Sequence, residues 1–194
     1  FQWRDRYTML DGAMSLSTPG VEGTAGNRVE SAEAIATYVR SILHFGKFTF
    51  TPGVRHEYIT FKRFDFGSDD LERVGEGDTR SNTALVLLPG AGLNYTLCES
   101  LDAFVGVHRG FIPPGSSPDT EPETSINTEL GLRYSSNSLS AQMVLFNNDY
   151  ENLLGADVAS SGGTGSGDLF NGGSALAKGL ELEIAYDPFA DGPF

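Results

Sequence analysis

The chain has 194 residues, of which 39% are hydrophobic and 24 are glycine, and its 26 acidic against 13 basic residues give a formal charge of −13. That balance excludes nucleic acid and anionic surfaces as general partners. The hydrophobic content excludes disorder, and the longest apolar stretch, Ala84 to Leu93, is broken by Pro89, Gly90 and Gly92, far short of the roughly 20 residues a spanning helix needs.

Taken in chain order, the segments alternate between two-faced strands and polar connections. The start, Phe1-Gln2-Trp3-Arg4-Asp5, has no basic segment leading to an apolar core, so no export signal is read there. Strands are expected at about 1–10, 29–43, 47–65, 83–97, 100–110, 125–135, 139–150 and 175–187, because apolar and polar residues alternate within them. In the third, Phe48, Phe50, Val54 and Tyr58 oppose Thr49, Thr51, Arg55 and Glu57. The fourth is apolar on both faces at its start, with Leu85, Leu87, Leu93 and Tyr95 as its greasier side. In the sixth, Ile126, Leu130, Leu132 and Tyr134 oppose Asn127, Glu129, Gly131 and Arg133. In the eighth, Leu180, Leu182, Ile184 and Tyr186 oppose Glu181, Glu183 and Ala185. Pro52 and Pro89 cannot donate to a ladder, and as each is followed by glycine a local bulge is expected at both. The last residues, Asp187 to Phe194, have the composition of a turn, and both ends of the chain are read as cuts.

Connection lengths sort into two kinds. Three long polar segments, Gly67 to Ser81, Gly110 to Thr124 and Glu151 to Gly173, alternate with tight joints near Gly46, Glu99 and Ser136. Outer-membrane barrels sort their connections this way, with short turns on the inner side of the membrane and long loops outside. A barrel also escapes hydropathy, since only every second residue of a strand meets lipid. A Lys or Arg facing lipid at mid-bilayer costs about 2–4 kcal/mol, falling towards zero at the interfaces. Arg40, Arg55, Glu57, Asp102, Glu129, Arg133, Glu181 and Glu183 all have the polar parity, hence the lumen. The exceptions, Glu33, Lys62, Arg109 and Lys178, lie towards the long-loop ends, where the cost fades. Phe45, Phe48, Tyr95, Tyr134 and Tyr186 share the lipid parity within a few residues of a short turn, as an aromatic girdle at one membrane boundary would. The expected fold is all-β, an antiparallel transmembrane β-barrel segment.

Several blocks then resemble one family. Phe48-Thr49-Phe50-Thr51-Pro52-Gly53-Val54-Arg55-His56-Glu57 is similar to the L-T-P-G-x-R-Y-E strand of TonB-dependent outer-membrane receptors, and Leu88-Pro89-Gly90-Ala91-Gly92-Leu93-Asn94-Tyr95 to the strand that follows it. Gly110-Phe111-Ile112-Pro113-Pro114, then Pro122-Glu123-Thr124-Ser125-Ile126-Asn127-Thr128-Glu129-Leu130-Gly131, resembles their G-F-x-P-P … P-E-x-S-x-x-x-E-x-G stretch. Asn148 to Asn152, and Asn171-Gly172-Gly173 leading into Lys178-Gly179-Leu180-Glu181-Leu182-Glu183, continue the match in family order. The G-F-x-P-P form looks most like the ferric-dicitrate branch. The resemblance implies that residues 1–194 are part of the β-barrel domain, about eight strands of a 22-stranded plugged barrel, with plug and closing strands absent. It further implies a bacterial outer-membrane location in contact with its lipid. The function implied is import of a ferric chelate, ferric citrate or another siderophore, with TonB-ExbB-ExbD as partner through the plug or N-terminus. No cofactor is implied, the iron chelate being cargo.

No chemistry at a reacting bond is expected. His56-Glu57-Tyr58-Ile59-Thr60 lacks the second His of a zinc-protease helix, and His44, His56 and His108 are scattered. Gly162 to Gly167 has neither the Lys nor the spacing of a phosphate loop and reads as a flexible external loop. Cys98 is the lone cysteine, so no intrachain disulfide forms. The acidic stretches Ser68 to Glu72 and Asp119 to Glu123 read as solvated loop, or as capture of a divalent cation or cationic ligand. Arg55, Glu57, Glu129 and Arg133 read as pairing with one another or with a plug; ligand contact is the other reading. Ligand contact is expected higher up, at Arg109, Gly110, Phe111, Pro113 and Pro114, because a ferric chelate is commonly anionic and Arg offers forked donors to carboxylates. The alternatives are a passive porin or adhesin-like barrel, and a soluble β-sandwich binding Ca²⁺ through its acidic loops.

Overall fold

The computed structural model describes residues 2–6, 9–10, 13–14, 28–66, 70, 73–156 and 169–188, and every regular element among them is a strand. The glycine run at 162–167, most of the acidic stretch at 68–72 and the residues from 189 onward lie outside the described residues. The strands are β1 (Gln2–Arg6), β2 (Met9–Leu10), β3 (Ala13–Met14), β4 (Arg28–Arg40), β5 (Leu43–Phe45), β6 (Phe48–Asp65) and β7 (Asp78–Cys98). They continue as β8 (Leu101–Ile112), β9 (Glu123–Ser135), β10 (Leu139–Glu151), β11 (Leu154–Ala156), β12 (Leu169–Asn171) and β13 (Ala175–Tyr186). One antiparallel sheet runs β1-β4-β6-β7-β8-β9-β10-β13, with β5 paired to the foot of β6. Each of the eight expected strands has a counterpart in chain order, but the first is Gln2–Arg6, with Met9–Leu10 in a separate hairpin, and the second stops at Arg40 before the short β5. The sequence pattern missed two small hairpins, β2–β3 and β11–β12, whose two- and three-residue strands are too short to show alternation.

The short turns line one edge of the sheet. Gly46 takes φ +59°, which a two-residue hairpin between Phe45 and Phe48 demands and glycine adopts without a Cβ penalty. The Thr96 amide donates to the Lys47 carbonyl (2.9 Å), that of Ser135 to Ser100 (2.9 Å) and that of Asp187 to Ser138 (2.8 Å), so each turn is stitched to the strand beside it. At the opposite end β6 and β7, of 18 and 21 residues, run well past the 9–11 residues that cross a bilayer.

Neither proline sits in a bulge. The β6–β7 ladder is continuous from Phe48/Tyr95 to Asp65/Asp78, with Pro52 opposite Ala91 and Pro89 opposite Val54. A strand residue points its N–H and C=O to the same neighbour. The Pro52 carbonyl accepts from the Ser41 amide (3.0 Å), so its missing donor faces the break between β4 and β5. By the same alternation Pro89 faces β8 at Arg109, and the β7–β8 ladder stops one step below, at Gly90/His108. Each proline thus marks where a neighbouring ladder ends. The one register shift between β7 and β8 lies elsewhere, between Thr96 and Cys98 at the tight turn.

Burial is inverted relative to a soluble domain. Leu85 (67% exposed), Ile35 (66%) and Leu182 (67%) stand open on one face, while Ala84 (1%), Val86 and Glu57 (5%) are buried on the other. A sheet that hides a carboxylate and shows its leucines is built for a greasy surround.

Candidate functional site

The registers assign every charged strand residue to a face. Arg40, Arg55, Glu57, Asp102, Glu129, Arg133, Glu181 and Glu183 share the inner face, and Glu33, Lys62, Arg109 and Lys178 carry outer parity, as the alternation requires. Phe45, Phe48, Tyr95, Tyr134 and Tyr186 are all on the outer face near the short turns, with the Phe48 and Tyr95 rings 4.5 Å apart. Inner-face ion pairs form along single strands: Arg55 with Glu57, Arg28 with Glu30 (2.8 Å), Arg63 with Asp65 (2.6 Å) and Arg80 with Asp78 (3.4 Å). Residues two apart in a strand share a face, which is why these pairs can meet. Arg133 does not pair with Glu129. Its guanidinium donates to Gln142 Oε1 (2.9 Å) and lies over the Phe104 ring (5.1 Å). Glu181 and Glu183 face the lumen beside Gln142 and Val144.

The segment around Arg109 departs from simple barrel geometry. Beyond His108, β8 leaves β7 but keeps its partner β9 as far as Ile112/Glu123. Phe111 packs against Ile59, Ala84 and Val86, which are inner-face residues of β6 and β7. Asn82, also inner-facing, donates its amide hydrogens to the carbonyls of Ser117 and Thr120, both at 2.9 Å. The top of β8 and the 113–122 connection therefore fold inward, across the inner wall of β6–β7. At Gly110 a Cβ would lie 2.8 Å from the Ser125 hydroxyl oxygen and 3.1 Å from Asn127 Nδ2, so a larger residue there would have to turn those two side chains aside. Pro114 is fully buried and Pro113 is exposed. Of the five residues singled out for ligand contact, Phe111 and Pro114 are thus occupied in packing, Gly110 lies against the side chains of Ser125 and Asn127, and Arg109 and Pro113 are the ones left to reach outward.

A second connection is tied to the first. The Glu121 amide donates to Asn171 Oδ1 (2.9 Å), and Asn171 Nδ2 donates to the carbonyls of Glu121 and Asn152 (both 3.0 Å). Asn152 Nδ2 reaches Glu121 Oε2 (3.0 Å), and the Leu154 amide reaches the buried Glu123 carboxylate (3.0 Å). The Leu169 amide donates to the Ser117 hydroxyl (3.0 Å), while the Thr120 hydroxyl donates to the Leu169 carbonyl (3.1 Å). The β11–β12 hairpin and the inward segment are consequently one hydrogen-bonded unit. Asn82 carried no signal in the sequence, and Asn152 and Asn171 entered it only within the family resemblance, because a lone asparagine has no spacing that announces a distant partner.

Glu121 and Glu123 thus tie one connection to the other, whereas Asp70 is used locally. The Asp70 carboxylate accepts from the Val74 and Gly75 amides (3.0 and 2.9 Å), closing a turn. Among the described residues no three His, Cys, Asp or Glu side chains converge to hold a metal.

A sheet with a greasy outer face, a charged inner face, an aromatic girdle at its short-turn edge and long loops opposite is the wall of an outer-membrane β-barrel. More narrowly, the chain belongs to the TonB dependent receptor-like β-barrel family, whose model matches residues 1–193. It is an outer-membrane protein of bacteria, in a family of receptors and transporters. Its fold is similar to that of the ferric citrate transporter FecA in the unliganded form, with a TM-score of 0.67 and 23% identity over 84% of this chain and 24% of that one. The ferric yersiniabactin uptake receptor FyuA from Yersinia pestis matches at TM-score 0.64 and 23% identity, over 82% of this chain and 25% of that one. The ferric-catecholate import receptor Fiu from K12 E. coli matches at TM-score 0.64 and 17% identity, over 92% and 28%. The chain spans about a quarter of the length of these solved receptors.

Proposed function

We propose that this chain is part of the barrel of a receptor that imports a ferric chelate, ferric citrate or another anionic siderophore complex, by TonB-coupled transport. The observation that carries the reading is the family membership of nearly the whole chain, joined to an inward-folded, hydrogen-bonded pair of connections at the long-loop end. Relatives of this fold are named for ferric citrate, ferric yersiniabactin and ferric catecholate. Arg109 has outer parity, but Phe111, of the same parity two residues on, is turned inward, and at the root of that segment Arg109 would offer a forked cation to an entering anionic chelate. Coupling would run through plug and TonB-ExbB-ExbD, binding in the vestibule shifting the plug towards its TonB-engaged state. A β-sandwich is disfavoured because the apolar faces are exposed rather than stacked on a second sheet.

The test is Arg109→Ala in the full-length receptor. Uptake of radiolabelled ferric citrate by iron-starved cells should fall about tenfold, the size expected for losing a charge-assisted pair. Unchanged binding and uptake would remove Arg109 from the site, and uptake independent of TonB would overturn the coupling.

A further inference from the structure

Asn82 stands on the inner face near the outer end of β7, opposite Phe61 of β6. Its amide hydrogens go to the carbonyls of Ser117 and Thr120, each at 2.9 Å, so one side chain of the wall brackets a whole turn of the inward segment. That turn is set by its own residues. Pro118 brings the fixed φ favoured at the second position, and Asp119 takes φ +61° at the third, the sign a type II turn requires. Gly115 (φ +70°) and Asn152 (φ +55°) fix two further bends of the joined connections. Phe111 and the fully buried Pro114 pack beneath the turn, and the buried Thr120 ties it to Leu169 of β12 through its hydroxyl. To swing away from the wall, the segment would have to strip both apolar residues of their packing and leave the Ser117 and Thr120 carbonyls without their donor. Elements that open and close are drawn from the least stable parts of a fold, and this one has the opposite construction.

We infer that Asn82 is a positioning residue for chelate binding: it pins the inward segment, with Arg109 at its root, as a fixed shelf that stands before the chelate arrives and does not close over it. The inference rests on the proposed import function. A layer of chain packed on a sheet stands about 10 Å in from it, so the shelf narrows the entrance on this side in the empty receptor. Ordering the segment in advance spares the chelate that cost, which is how preorganisation raises affinity. The clasp at Asn171 extends the shelf to the β11–β12 hairpin, so the two connections stay put together.

Hydrogen exchange of the full-length receptor, with and without saturating ferric citrate, tests the shelf directly. Peptides covering 113–122 and 150–156 should exchange within about twofold of the same rate in both states. Any greater slowing on addition of the chelate makes the segment a lid and overturns the inference. Asn82→Ala is the second arm, read with radiolabelled ferric citrate on de-energised cells. Exchange within 113–122 should quicken about tenfold and the dissociation constant rise about fivefold, because the pinned state is less populated, while the number of binding sites stays the same. Combined with Arg109→Ala, Asn82→Ala should add little, since Asn82 reaches the chelate only through the segment that carries Arg109. An unaltered dissociation constant, fewer sites of unchanged affinity, or full additivity with Arg109→Ala would leave Asn82 a purely structural residue and overturn the inference. If Asn82→Ala fails to assemble, the comparison of exchange in the wild-type receptor decides alone. A wild-type receptor that binds neither ferric citrate nor a ferric catecholate refutes the import reading itself, an outcome separate from all of these.

Discussion

Leu130 and Glu129 are chain neighbours in different surroundings, one 55% exposed on the outer face and the other on the wall of the lumen. Leu130→Arg should cost the full receptor about 2–4 kcal/mol, whereas Glu129→Arg should cost far less, because only the first sets a charge in hydrocarbon. Urea unfolding in lipid vesicles, followed by tryptophan fluorescence, measures both. A larger penalty for Glu129→Arg than for Leu130→Arg would mean that the faces have been exchanged. The same alternation settles Arg133. Four residues from Glu129 on the same face, it nonetheless turns to Gln142 and the Phe104 ring, which sequence spacing alone did not suggest.

Among the elements, β8 decides most. Pro89 withholds the donor that would have continued the β7–β8 ladder to Arg109, and above that point β8 crosses inward. Pro89→Val restores the donor, so hydrogen exchange should slow in peptides covering 85–92 and 106–112. Unaltered exchange would assign the parting of the strands to the Phe111 and Asn82 anchors instead. The clasp at Asn171 is a separate lever. Asn171→Leu removes three hydrogen bonds that are exposed to water, so the local loss should be about 1 kcal/mol rather than the sum of three. That corresponds to roughly fivefold faster proteolysis within 113–122, where cleavage follows the open population. Cleavage at the wild-type rate would show that the two connections hold independently.

At the scale of the molecule, the sheet described here ends in two edges, β1 and β13, which a closed barrel does not have. The 194-residue chain refolded alone in detergent should therefore self-associate through those edges, giving broad, oligomeric species by size-exclusion chromatography with light scattering. A monodisperse monomer would require the edges to be covered. The Leu-rich outer band and the charged inner wall are consistent with one another only in the complete ring, where lipid meets the first and water or plug the second.

The order, facing and membrane character of the long strands were legible in the residues, because a strand's period of two writes burial directly into sequence. The pairs Leu180/Glu181 and Leu130/Glu129 carry that signal without any help from contacts. The resemblance of the Phe48 to Glu57 and Gly110 to Pro114 blocks supplied the family. What the tertiary structure decided is where strands cease to pair. No local pattern says that Pro52 and Pro89 face ladder ends rather than bulges, that Phe111 turns from the outer to the inner side, or that Asn82 and Asn171 meet loops 35 and 50 residues away. Those contacts depend on the registers of several strands at once, and a hydrogen bond between distant asparagine and carbonyl leaves no periodic trace in the chain.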